Sequence, residues 1–66
     1  MQVLLNGEQA DIANQISVYD LLEAKSIKPQ SVVVELNGKI IDRGVFKGTH
    51  INEADKVEII SFVGGG

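Results

Sequence analysis

The sequence closes on Ser61-Phe62-Val63-Gly64-Gly65-Gly66, a β-type segment that runs straight into three glycines. The group available for chemistry there is an α-carboxylate with no side chain beside it. Glycine lacks a Cβ, so the segment can extend, turn sharply or thread a channel closed to other residues. Three residues at about 3.3–3.6 Å each carry the carboxylate on the order of 10 Å from a folded body. A carboxylate presented in this way is open to activation and modification in another protein's active site. A frayed chain end looks the same, so the elements that would hold the tail out decide between the two.

The other chemistry-bearing side chains give less. His50 is the single histidine and there is no cysteine, so a nitrogen- and sulfur-based metal centre lacks its ligands. Asp20 and Glu23 lie three apart near a predicted helix start, where acids are favourable without any further role. Asp42-Arg43 and Glu53 with Asp55 read as charges that solvate a loop. Neither a Ser/His/Asp set nor a phosphate-binding or dinucleotide motif is present. The residues therefore predict no catalytic site and no metal.

Composition narrows the class further. Sixty-six residues make one domain, expected to span 1–66 with 63–66 as a flexible tail. Without disulfides, stability rests on an apolar core drawn from eight valines, eight isoleucines and five leucines. Most of these are β-branched, which favours strands. A net charge of −3 with scattered lysines and arginines excludes a basic nucleic-acid footprint. No apolar run reaches the roughly 18 residues of a membrane span, and no signal peptide opens the chain. A cytoplasmic protein that is monomeric on its own is expected.

Met1–Leu5 reads as a strand ending at Asn6-Gly7, a hairpin signal because both turn positions accept positive φ. Glu8–Ala13 reads as the return strand. Ser17 is a helix cap with Asp20 three residues on and Ile16 placed to staple against Leu21. The helix is expected to run to about Lys25, burying Val18, Leu21 and Leu22, with Pro29 preventing continuation. Ser31–Leu36 reads as a strand, and Asn37-Gly38 predicts a second hairpin onto Lys39–Ile41. The stretch from Asp42 to Asp55 has few apolar anchors and is assigned no element, and Lys56–Val63 reads as the last strand. One helix on one mixed sheet of about five strands, in the order β-β-α-β-β-β, is a two-layer α+β solution. With the first and last strands parallel at the centre, it is the β-grasp of ubiquitin-like proteins.

On that framework the chain resembles the ThiS family of sulfur carriers in thiamine biosynthesis. The residues that carry the likeness are Met1-Gln2-Val3-Leu4-Leu5-Asn6-Gly7, Val34–Ile41, Asp55–Ile60 and the ending Phe62-Val63-Gly64-Gly65-Gly66. The resemblance covers essentially the whole chain and implies a carrier rather than a catalyst. It implies that a ThiF-like adenylyltransferase uses ATP to adenylate the Gly66 carboxylate, while the chain itself binds no cofactor. Sulfur from a persulfide donor then leaves a thiocarboxylate, which a ThiG-like thiazole synthase consumes. Gly64 and Gly65 would thread the tail into these partners. An ionised carboxylate is a poor electrophile and an acyl-adenylate is a good one, which agrees with that sequence of events. The small subunit of molybdopterin synthase shares the fold and the ending. A ubiquitin-like modifier or a plain binding module is the third reading.

Strand alternation suggests where partners dock. With Val57 and Ile59 inward, Lys56, Glu58, Ile60 and Phe62 face out; Val3 and Leu5 inward put Leu4 out; Val32, Val34 and Leu36 inward put Val33 out. Leu4, Val33, Ile60, Phe62 and Val63 are thus expected to form one apolar docking patch leading to the tail.

Overall fold

A computed structural model describes residues 1–62. The expectations placed on Val63, Gly64, Gly65 and Gly66 lie outside the described residues. Five strands, β1 (Gln2–Leu5), β2 (Glu8–Asp11), β3 (Val32–Leu36), β4 (Lys39–Ile41) and β5 (Lys56–Ser61), form one sheet in the order β2-β1-β5-β3-β4. The helix α1 (Val18–Ala24) packs on one face of it. The β1/β5 pair is parallel and all other neighbours are antiparallel. This is the β-grasp arrangement.

Both hairpins turn on Asn-Gly. Asn6 and Gly7 have φ of 51° and 83°, and Asn37 and Gly38 have 53° and 84°. Positive φ at both central positions matches the right-handed twist of the flanking strands. The turns set the registers Leu5↔Glu8 and Leu36↔Lys39. β2 stops at Asp11, two residues short of the predicted Ala13. Ile12 gives its amide to the Met1 carbonyl and takes the terminal ammonium on its own carbonyl, and the pairing ends with Met1.

The Oγ of Ser17 accepts the Asp20 amide at 3.0 Å, as expected of the cap. At the other end the helix closes through a motif that the residue types did not announce. Ser26 takes φ 59°, its amide donates to Glu23 and the Ile27 amide donates to Leu22. This is the Schellman pattern, with serine where glycine is usual. Pro29 then opens a short 3-10 turn, Pro29–Ser31.

The stretch left without an element contains a 3-10 helix, Arg43–Gly48, capped where Asp42 Oδ2 accepts the Gly44 amide at 2.9 Å. It delivers Phe46 to the core, and the bonds Val18 N–H to Thr49 and Ile51 N–H to Ile16 tie the following loop to the start of α1. The core is Val3, Val18, Leu21, Leu22, Val32, Val34, Phe46, Ile51 and Val57. Every strand residue expected inward is buried or half-buried.

Candidate functional site

β5 leads to the tail, so what holds β5 sets where the tail departs. Its backbone is clamped from both sides by the two hairpin asparagines. Asn37 donates its amide to the Lys56 carbonyl at 2.8 Å and accepts the Lys56 amide on Oδ1 at 2.9 Å. Its Nδ2 donates to Asp55 Oδ1 at 3.0 Å. Asn6 donates its amide to the Val57 carbonyl at 2.9 Å and accepts the Ile59 amide on Oδ1 at 2.8 Å. Each asparagine thus serves as a turn residue and as a lateral support for the central strand. Asp55, assigned to a solvated loop in the sequence, is part of this frame: its Oδ2 also accepts the Asn52 amide at 2.8 Å. Asp42 likewise caps a helix, and Arg43 Nε donates to the Pro29 carbonyl at 3.1 Å.

Apart from Val45 in the 3-10 helix, the exposed large apolar residues lie on the outer sheet face, in a different grouping from the expected one. Val33 and Ile60 stand opposite each other in the β3/β5 pair, and Phe62 follows two residues on with its amide donating to Ser31 at 3.3 Å. Ile60 and Phe62 are each 45% exposed. Leu4 points to the same face but pairs with Lys56, four residues before Ile60. At about 3.3 Å per residue this is roughly 13 Å away along the strand. The single patch expected from alternation is therefore two. Leu4 lines a shallow cleft with Gln2, Gln9, Glu53 and Ala54, and Val33, Ile60 and Phe62 lie at the tail end. Alternation fixes which face a residue takes, not how far along a parallel neighbour it sits.

Ile40 belongs to the tail-end group and was not singled out in the sequence. It pairs with Glu35, is 71% exposed and lines a depression with Val33. The signal was present, because the two-residue Asn37-Gly38 turn places Glu35 opposite Ile40. Between the two patches Glu35 and Glu58 face each other across β3 and β5, a like-charge pair that weakens an isolated sheet. His50 is exposed, in a single bridge to Ser17. No helix is long and apolar enough to cross a membrane among the described residues.

Comparison with known proteins agrees with this geometry. The ThiS family model matches residues 3–66. A crystal structure of a thiamine biosynthesis protein (ThiS) from Geobacter metallireducens superposes with a TM-score of 0.87 at 35% identity, covering 100% of both chains. The ycf40 protein of Porphyra purpurea is 33% identical over all of this chain and 93% of its own length. A thiazole synthase of Paramagnetospirillum magneticum is 32% identical over the whole of this chain, which spans 20% of that protein. A match through both sequence and backbone, end to end, places this chain in the ThiS family.

Proposed function

We propose that this chain carries sulfur for the thiazole ring of thiamine on the carboxylate of Gly66. The observation that carries the reading is the family match running through residue 66, on a scaffold whose central strand leads into the glycines. In this reading a ThiF-like enzyme joins the Gly66 carboxylate to the α-phosphate of ATP and expels pyrophosphate. A persulfide donor attacks the acyl carbon and expels AMP, and a thiol cleaves the resulting acyl disulfide to leave the thiocarboxylate. Thiazole synthase then takes the sulfur. Proteins named thiazole synthase that contain a segment similar to this whole chain support that partner over a molybdopterin-forming one.

Ordering the tail in a partner costs about 1–2 kcal/mol per residue of backbone entropy, so the folded body must supply binding energy. The group Val33, Ile40, Ile60 and Phe62, continuing into Val63, is the docking surface in this reading, and Leu4 is a separate contact. Intact-mass measurement after incubation with the activating enzyme, ATP and a persulfide donor tests the proposal. Exchange of one oxygen for sulfur is expected on the full chain and not on a chain lacking Gly65 and Gly66. An unchanged mass on the full chain overturns it.

A further inference from the structure

β5 is a central strand for only part of its length. Lys56, Glu58, Ile60 and Phe62 turn their backbone groups toward β3, and Asp55, Val57, Ile59 and Ser61 turn theirs toward β1. On the β1 side the carbonyls of Asp55 and Val57 accept from Leu4 and Asn6 at 3.0 and 2.9 Å, and the Ile59 amide is met by Asn6 Oδ1. There β1 ends and the chain turns away through Gly7, where an added Cβ would meet nothing within 4 Å. The next groups in line are the Ile59 carbonyl, the Ser61 amide and the Ser61 carbonyl. None has a hydrogen-bond partner among the described residues. Pairing with Ser31 on the other side holds the strand extended to Phe62.

We propose that this open backbone edge, Ile59 to Ser61, receives an extended segment of the activating enzyme as an added β-strand. The proposal rests on the carrier reading above. Acceptor, donor and acceptor at strand spacing are complemented by another extended backbone, the mode of recognition by strand addition. The edge continues directly into the chain that leads to Gly66, so a segment seated here lies alongside the tail it must order. Ile60 and Phe62, flanking the edge with exposed side chains, give side-chain selectivity to what is otherwise main-chain recognition. A second copy is the poorer occupant: antiparallel pairing about Ser61 would rest on one residue pair between chains that each carry a net charge of −3.

Amide hydrogen exchange of the free chain and of its complex with the organism's own adenylyltransferase tests this. The Ile59 amide is protected in both, and the Ser61 amide exchanges fast in the free chain and slowly in the complex. Ser61→Pro removes a donor the fold does not use, so it melts like the parent but binds about tenfold more weakly. Ser61→Ala keeps the amide and binds normally. Fast Ser61 exchange in the complex, or full affinity in a folded Ser61→Pro chain, overturns the proposal. Concentration-dependent protection of Ser61 in the free chain assigns the edge to a second copy and overturns it too. If Ser61→Pro does not fold, the exchange measurement on the parent decides. Thiocarboxylate formation by the parent separates the two readings: its presence without Ser61 protection rejects the added strand alone, and its absence rejects the carrier as well.

Discussion

The carboxamide of Asn6 accepts the amide of Ile59 at 2.8 Å, across 53 residues of sequence. A turn residue thereby extends the β1/β5 pairing by one bond beyond the end of β1. The support falls on the last stretch of β5, so the first hairpin of the chain helps to hold its last strand.

Asn6→Ala removes that acceptor and places a Cβ residue without a compensating side-chain bond at φ 51°. The expected loss is about 1–2 kcal/mol, from one hydrogen bond and from left-handed backbone strain. Asn6→Asp keeps both an acceptor oxygen and tolerance of that conformation, and it remains near the parent. Denaturant midpoints measure the difference, and faster exchange of the Ile59 amide in Asn6→Ala ties it to this bond. A midpoint for Asn6→Ala equal to that of the parent would show that the carboxamide contributes nothing.

Ala54 has φ 69°, and its amide donates to the Gln2 carbonyl at 2.8 Å. Alanine in this region costs about 1–2 kcal/mol, and glycine gives back roughly 0.5–1 kcal/mol through its more flexible unfolded chain. Ala54→Gly is therefore expected to stabilise the fold by about 0.5–1 kcal/mol, seen as a higher thermal midpoint. A lower midpoint would mean that the Ala54 methyl contributes packing that outweighs the strain.

Much of this architecture was readable from residue types. Asn6-Gly7 and Asn37-Gly38 identify their turns because few other pairs accept positive φ twice, and Lys39–Ile41 came out with its bounds intact. The inward phase of β1, β3 and β5 followed from alternation. The position of Leu4 along β5 did not, because a parallel pair has no turn to set its register and the 50 residues between the partners leave no local mark. The helix end expected at about Lys25 falls at Ala24 with Lys25 as its cap, but Ser26 hid the Schellman closure, since the left-handed position is usually announced by glycine or asparagine. The 3-10 helix Arg43–Gly48 has one buried side chain, Phe46, and so no periodicity to detect. Within the candidate site, Ile60, Phe62 and Val33 were readable from phase, and Ile40 required carrying the hairpin register one residue further.

Tyr19 is the sole tyrosine, and its phenol is pushed above the ordinary value of 10.0. The charge of Glu23 is the main cause, its hydrogen-bonding oxygen the next, and Asp20 adds a smaller push. A nearby carboxylate disfavours the phenolate, so the proton leaves at higher pH. The Lys47 ammonium lies over the ring, 4.8 Å from its centroid. Ultraviolet titration should place the phenolate midpoint above that of free tyrosine, and Glu23→Gln should bring it down. A midpoint that does not respond to Glu23→Gln would remove Glu23 as the cause.

The division of the outer face into two patches makes the docking reading more exacting than a single stripe would. Phe62→Asp and Ile60→Asp each place a charge in the group at the tail end, and Ile40→Asp does so at its margin. All three side chains are exposed, so the fold is expected to hold, with midpoints within about 0.5 kcal/mol of the parent. Burying a charge against an apolar partner surface weakens association by several kcal/mol. Affinity for the activating enzyme and for thiazole synthase is thus expected to fall about a hundredfold or more for Phe62→Asp and Ile60→Asp. Leu4→Asp, beside Lys56 and roughly 13 Å from Ile60 by strand spacing, is expected to cost much less. Binding measured by calorimetry ranks the four variants. An order in which Leu4→Asp is the most damaging would move the interface to the start of β5, and parent-like affinity in all four would remove the sheet face from the docking surface.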